Sequence, residues 1–89
     1  MEIVVRKLSD EEIRDLGIYN WSIWTKEIST FDWHYDAKEE CYILEGSVEV
    51  TSSTGEKTSF GAKDFVSFPK GLECTWHVVE PVRKHYRFE

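Results

Sequence analysis

The clearest pattern of hydrophobic and polar positions lies between residues 31 and 36. Aromatic residues occupy the odd positions and polar residues the even ones, as Phe31, Trp33 and Tyr35 against Asp32, His34 and Asp36. This period of two predicts a β-strand with one buried face and one face in water. The same odd positions continue through Glu39 and Cys41. A carboxylate in an apolar interior is costly unless it is paired or used, so Glu39 is the first candidate for a functional residue.

Short apolar segments separated by turn residues predict strands along the rest of the chain. We expect a strand at 3–5, one short strand within 19–28, two strands joined by a hairpin turn at Glu45 and Gly46 within 31–51, and strands at 57–60, 65–68, 73–80 and 82–88. A short helix is predicted at 10–16. Ser9 and Glu12 form a capping box at its start, and Gly17 is placed to end it.

About eight short strands with turn signals eight to twelve residues apart indicate an all-β fold. We expect a small antiparallel barrel or jelly roll with one short N-terminal helix, and a single domain over residues 1–89. A parallel α/β fold is excluded because no crossover helices separate the strands.

Charge and composition narrow the classes of partner. The formal net charge is −6, and no basic cluster is larger than the pair Arg83 and Lys84. Nucleic-acid binding and attachment to anionic membranes are therefore disfavoured. No apolar run approaches the length of a membrane span, and the expected location is cytoplasmic. Cys41 and Cys74 are the only thiols, which predicts neither a disulfide framework nor a zinc finger.

Two spaced motifs resemble those of the cupins. The first cupin motif has Glu, six intervening residues and then Gly, and Glu39 and Gly46 fall at that spacing here. The second runs Gly-Asp, four residues, Pro-x-Gly, two residues, His, and Asp64, Pro69 and Gly71 fall at those spacings. This resemblance implies a conical jelly-roll barrel with a pocket at one end.

Three strings narrow the resemblance further, namely ECYILEG, FPKGLECTW and VRKHY. They are similar to the short single-domain cupins that share a profile with the cupin halves of (S)-ureidoglycine aminohydrolase, a group in which most functions are not established.

The usual cupin metal histidines are replaced. With three intervening residues, the first motif places its two histidines at Trp33 and Tyr35, and the second motif places its histidine at Cys74. Four intervening residues would select His34, whose side chain has the opposite parity to Glu39 and should point away from the pocket. Only Glu39 remains of the four usual ligands. We therefore predict no metal and no other cofactor.

The predicted site is an aromatic-walled pocket for a small organic molecule, anchored by Glu39. Its candidate ligand-binding residues are Trp33, Tyr35, Glu39, Cys41, Cys74 and Trp76. Glu39 would bind a cationic or amide group or act as an acid or base. A structural role remains open, in which the Tyr35 hydroxyl or a backbone amide satisfies its carboxylate. Both cysteines are expected to be small buried side chains, because free Cys is among the most buried residue types. A nucleophilic thiol would need a nearby base or positive charge, and the pattern places no buried Lys or His beside them.

Two other functions stay open. The first is a metal-dependent enzyme that acts on a small amide or amine compound through Glu39 and Cys74. The second is a structural or interaction protein without a ligand. His77 and His85 are predicted on the outer face, and the segment 83–86 is a candidate interface for a homodimer. Whether the protein is an enzyme is left undecided by the sequence.

Overall fold

The computed structural model describes residues 2–89 as seven strands, one α-helix and one 3₁₀ turn. In chain order these elements are β1 (Val4–Lys7), α1 (Asp10–Leu16), the 3₁₀ turn (Ile18–Asn20), β2 (Ser22–Lys26), β3 (Ser29–His34), β4 (Glu39–Ser52), β5 (Lys57–Gly61), β6 (Asp64–Phe68) and β7 (Glu73–Phe88). All strand pairs are antiparallel. The predicted all-β class with one short helix is confirmed.

Two long strands, β4 and β7, form the spine of the fold. They pair from Glu39 opposite Phe88 to Ser52 opposite Cys74. The free side of β4 pairs first with β6 and then with β5, while the free side of β7 pairs with β3 and then with β2. β1 extends one edge by pairing with β6. Because both long strands contribute to each half, the sheet curves around one interior.

β4 and β7 approach each other closely where Gly46 faces Pro81. The register between β4 and β7 shifts between Ile43 and Val48, as in a β-bulge. Gly46 has φ +98°, and a Cβ at this position would collide with the Pro81 carbonyl group. The glycine is therefore required by the close approach of two backbones.

This bulge corrects two predictions from the sequence. The hairpin turn at Glu45 and Gly46 was wrong, because β4 continues through both residues. The separate strands predicted at 73–80 and 82–88 are one strand, β7, which contains Pro81 at the irregular part of the ladder. Proline is tolerated in a strand at such bulges, where no ladder hydrogen bond is lost.

Buried side chains form two clusters on opposite faces of the sheet. The inner cluster lies between the two halves of the sheet and includes Cys41, Val50, Phe68 and Trp76. The outer cluster joins Tyr42 and Phe65 of the sheet to Ile13 of α1 and Ile18 of the 3₁₀ turn. The N-terminal segment thus covers part of the outer face.

α1 ends and begins as its sequence predicts. Ser9 accepts from the Glu12 backbone amide at 3.2 Å, and the Glu12 carboxylate accepts from the Ser9 amide at 3.1 Å. Gly17 closes the helix in the left-handed conformation. No helix within residues 2–89 is long and apolar enough to cross a membrane.

Candidate functional site

A cavity of about 270 Å³ lies against the inner faces of β2, β3, β4 and β7. Its wall is mainly aromatic, and of the side chains that the structure describes there only two carry a formal charge, Glu39 and Lys84. The aromatic side chains on the wall are Trp24, Phe31, Trp33, Tyr35, Trp76, Tyr86 and Phe88. An apolar wall with few polar groups is typical of small-molecule sites.

Glu39 and Lys84 form a buried ion pair on this wall. Lys84 Nζ donates to Glu39 Oε2 at 2.6 Å, and the side chains of the lysine and the glutamate are 6% and 3% exposed. Glu39 begins β4 opposite Phe88, whereas Lys84 lies opposite Ile43, so the two side chains approach each other along one face of the sheet. A charge-assisted hydrogen bond of this length holds both groups in fixed positions.

Three aromatic rings enclose the Lys84 ammonium group. Its Nζ lies 4.6 Å from the ring centroid of Trp76, 4.8 Å from that of Trp24 and 5.8 Å from that of Tyr86. Ring faces attract a cation at these distances. The protein therefore places a positive charge of its own inside an aromatic cage, next to the carboxylate.

Tyr35 contributes its ring and not a charge. The side chain is buried against Phe68, with ring centroids 4.9 Å apart and nearly parallel planes, and its hydroxyl accepts from Trp76 Nε1 at 3.2 Å. Burial and then the nearby Glu39 carboxylate raise the pKa of Tyr35 far above its usual value, so the phenol stays neutral. The carboxylate is satisfied by Lys84, and not by the Tyr35 hydroxyl or a backbone amide as the sequence suggested.

The two thiols are buried but do not reach the cavity wall. Cys41 is fully buried, and Cys74 Sγ donates to the Trp33 carbonyl at 3.8 Å beside a separate open groove. Burial raises the pKa of Cys41 to about 12 and that of Cys74 to about 11. Both groups are therefore protonated at neutral pH, and their inertness fits the packing role expected for them.

The residues present do not fit the metal that the cupin resemblance implies. Across residues 2–89, no three His, Cys, Asp or Glu side chains converge as a metal site requires. The carboxylate of Glu39 is bound to Lys84, and His34 is exposed beside Asp36 and Glu73, at 3.3 and 3.7 Å. Within the described chain, the cation on the cavity wall is thus the lysine ammonium.

Of the six predicted site residues, four border the cavity, Trp33, Tyr35, Glu39 and Trp76. Sequence reasoning missed Lys84, which is the partner of Glu39. The inward parity of Cys74 and Trp76, carried past Pro81, reaches Lys84 and would have identified it. Lys84 is buried and its charge acts on the Cys41 thiol, so the expectation that no buried lysine lies near the thiols was wrong for Cys41.

The predicted positions of Lys84 and His85 within the segment 83–86 also need correction. His85 was placed at the surface or an interface, but it is buried against the N-terminal segment. Its Nδ1 lies 3.1 Å from the Trp21 carbonyl, and its ring packs edge-on against Tyr19 at 5.5 Å. Lys84 faces the cavity, so neither residue lies on an accessible dimer surface. His77 is exposed as expected.

Comparison with known proteins gives consistent matches. A family model described as the EutQ-like cupin domain matches residues 14–86. A DUF861 family protein from Thermotoga maritima shares 51% identity with a TM-score of 0.98, over 99% of this chain and 100% of that one. The search of curated proteins found no significant match.

Two EutQ proteins share the fold at lower identity. The Clostridium difficile EutQ protein is 20% identical with a TM-score of 0.69, over 97% of this chain and 66% of that one. A putative ethanolamine utilization protein Q from Salmonella typhimurium is 22% identical with a TM-score of 0.68, over 99% of this chain and 69% of that one. The chain thus spans about two thirds of the length of these two proteins.

Proposed function

The chain belongs to the EutQ-like cupin domain family, and we propose that it binds a small organic molecule in the cavity between the two halves of its sheet. In this proposal Glu39 and Lys84 are the polar anchor, and the aromatic side chains are the walls. The family alone does not supply this function, because one fold supports many unrelated activities. The proposal therefore rests on the site.

The observation that carries the proposal is the position of the ion pair. Two charged side chains lie almost fully buried at 2.6 Å, on the wall of a cavity and not in filled core. A buried pair contributes little to net stability, because desolvation of both ions offsets most of their attraction. Apolar side chains would fill this space at no such cost. Retaining a donor and an acceptor beside empty volume supports a role in binding.

The size and the rim of the cavity agree with this role. A volume of about 270 Å³ is close to the lower end of ligand pockets, roughly 300 Å³, and suits a compact molecule. Trp33 and Phe88 border the cavity while they remain 47% and 48% exposed. A ligand that covers these two rings would remove a large apolar area from water.

A fragment screen followed by protein-observed NMR tests the proposal. We expect small aromatic fragments to shift the amide resonances of β3 and of the inward residues of β7, in a saturable manner. Trp33→Ala should weaken binding, since it removes a rim of the cavity. His34→Ala is the matched control, because His34 is the next residue on β3 and points to the opposite face.

The outcome that contradicts the proposal is equally specific. Fragments that shift only residues outside the cavity, or a Trp33→Ala variant that binds as well as the unmodified protein, would show that the cavity is not the binding site. A structural or interaction protein without a ligand would then be the better account.

A further inference from the structure

The charged groups on the cavity wall sum to zero. Among residues 2–89, Glu39 and Lys84 are the only charged side chains on it, and Tyr35 is neutral. A ligand with a net charge would leave water without gaining an unpaired charge of opposite sign in the cavity, which is unfavourable. An anion that approaches Lys84 also approaches the Glu39 carboxylate, and a cation that approaches Glu39 meets the ammonium group. The wall therefore disfavours both.

The pair offers a donor and an acceptor side by side. A lysine ammonium has three N–H donors, and Lys84 uses one on Glu39 Oε2. A carboxylate has two oxygens with several acceptor positions, and only Oε2 receives this bond. A ligand edge with a carbonyl oxygen beside an N–H group is complementary to this neighbouring donor and acceptor. A neutral edge of this kind adds two hydrogen bonds without separating the ions, whereas an ionic or zwitterionic ligand must compete with a pair closed at 2.6 Å.

The walls restrict the remainder of the molecule. Phe31 and Trp76 stack with an angle of 19° between their planes, and Trp24 meets Trp76 edge-on. These rings leave flat apolar surfaces, which pack best against a flat ligand. The cation cage formed by Trp24, Trp76 and Tyr86 is already filled by Lys84. A ligand ammonium group would therefore find its best site taken.

From this juxtaposition we propose that the ligand is a small, neutral, planar molecule with an amide-type edge, such as an aromatic carboxamide, a lactam or an imide. The inference rests on the proposed function and specifies its ligand class. The ligand carbonyl accepts from Lys84 Nζ, and its N–H donates to Glu39. The ring lies between the aromatic walls.

Four ring compounds of similar size test the proposal: benzamide, benzoate, benzamidinium and toluene. Their affinities are measured on the unmodified protein by NMR titration near pH 7. We expect benzamide to bind at least about tenfold more tightly than each of the others, since a buried hydrogen bond or an uncompensated charge corresponds to a ratio of this size. Toluene should bind weakly at the same resonances.

Each other outcome has a definite meaning. Tighter binding of benzoate or benzamidinium, or of the zwitterion phenylglycine, would overturn the neutral-amide assignment while the proposed function stands. Equal binding of toluene and benzamide would overturn it too, because the pair would not be an anchor. If none of the compounds binds in the cavity, both proposals fail.

Two variants should change the preference in opposite directions. Glu39→Gln leaves the charge of Lys84 uncompensated and should turn the preference toward benzoate. Lys84→Met leaves the charge of Glu39 and should turn it toward benzamidinium. Glu40→Gln is the control, because Glu40 is adjacent on β4 but pairs with Arg87 on the other face. Preferences that do not follow the charge of the pair would overturn the assignment, and if a variant fails to fold the series on the unmodified protein decides.

Discussion

Two ion pairs of this protein use adjacent acidic residues but lie in different surroundings. Glu39 pairs with Lys84 at 2.6 Å, and Glu40 pairs with Arg87 at 2.8 Å. Both acids belong to β4 and both bases to β7. The inner pair faces the cavity with 3% and 6% exposure, whereas the side chains of the outer pair are 14% and 41% exposed. The guanidinium group of Arg87 also lies over Trp21, 4.4 Å from the ring centroid.

The comparison shows that the face of the strand, and not the chemistry of the pair, decides its energetic role. Successive residues of a strand point to opposite sides, so a shift of one position moves a carboxylate from partial solvent into the cavity wall. An exposed pair is screened and contributes little, but a buried pair makes each ion depend on the other. Substitutions in the inner pair should therefore change the free energy of unfolding strongly, whereas the outer pair should tolerate them.

The largest expected effect follows from removing one member of the inner pair. Lys84→Met should lower the free energy of unfolding by about 3–5 kcal/mol, because the Glu39 carboxylate is left buried and unpaired. Urea denaturation measures the change. Lys38→Met is the matched control, since its ion pair with Glu89 is half exposed, and it should cost less than about 1 kcal/mol. Equal effects in the two variants would show that the inner pair is not buried as described.

The second prediction concerns removing both members together. The double variant that combines Glu39→Met and Lys84→Met should be less destabilised than Lys84→Met alone, by about 2 kcal/mol. The reason is that no unpaired ion remains and the methionines fill a similar volume. A double-mutant cycle that includes both single variants measures the coupling energy of the pair, which also contains the effect of Glu39→Met alone. Additive losses would contradict the account, since they would mean that the two side chains do not depend on each other.

The outer pair should give a smaller coupling. A cycle of Glu40→Gln and Arg87→Met should yield less than about 1 kcal/mol, and this value should fall in 1 M salt, where the screening length is about 3 Å. The loss of the Trp21 contact by Arg87→Met appears in both arms of the cycle and cancels. A coupling as large as that of the inner pair would remove the distinction between the two faces.

The smallest effect is on acid stability. Burial raises the pKa of Glu40, but the hydrogen bonds with Arg87 and Glu89, together with the positive charges of Arg87 and Lys38, outweigh burial and hold this pKa below its ordinary value. A carboxyl group whose pKa is lower in the folded state stabilises the protein above the unfolded-state pKa, and this contribution is lost as the pH falls through the folded-state pKa. Urea denaturation between pH 6 and pH 3 compares Glu40→Gln with the unmodified protein. The free energy of unfolding should fall slightly less with decreasing pH in the variant. Identical curves would contradict a lowered pKa for Glu40 in the folded state.

The parts of the fold that local chemistry determines were predictable. α1 occupies residues 10–16 as expected, because Ser9 and Glu12 form its cap within four residues of chain. The cupin jelly roll expected from the motifs around Glu39 and Asp64 is confirmed by the family match. Spacings of this kind report local turns and strand lengths, which a sequence carries directly.

Features that depend on distant partners were not predictable in the same way. A glycine such as Gly46 suits a turn or a bulge equally well, and only the approach of Pro81 on β7 decides between them. His85 has outward parity as predicted, yet the N-terminal segment covers it. Lys84 has inward parity in the sequence, but Pro81 suggests a break between two strands, whereas β7 continues through it.

The most direct test of the account is the side-chain NMR spectrum of Lys84. If its ammonium group lies among Trp24, Trp76 and Tyr86 and is bonded to Glu39, ring currents should move its ε-methylene protons upfield. Its ammonium protons should also exchange slowly enough with water to give a distinct signal. Resonances of Lys84 that coincide with those of the exposed lysines would contradict the buried pair, and the proposed anchor of the binding site would be lost with it.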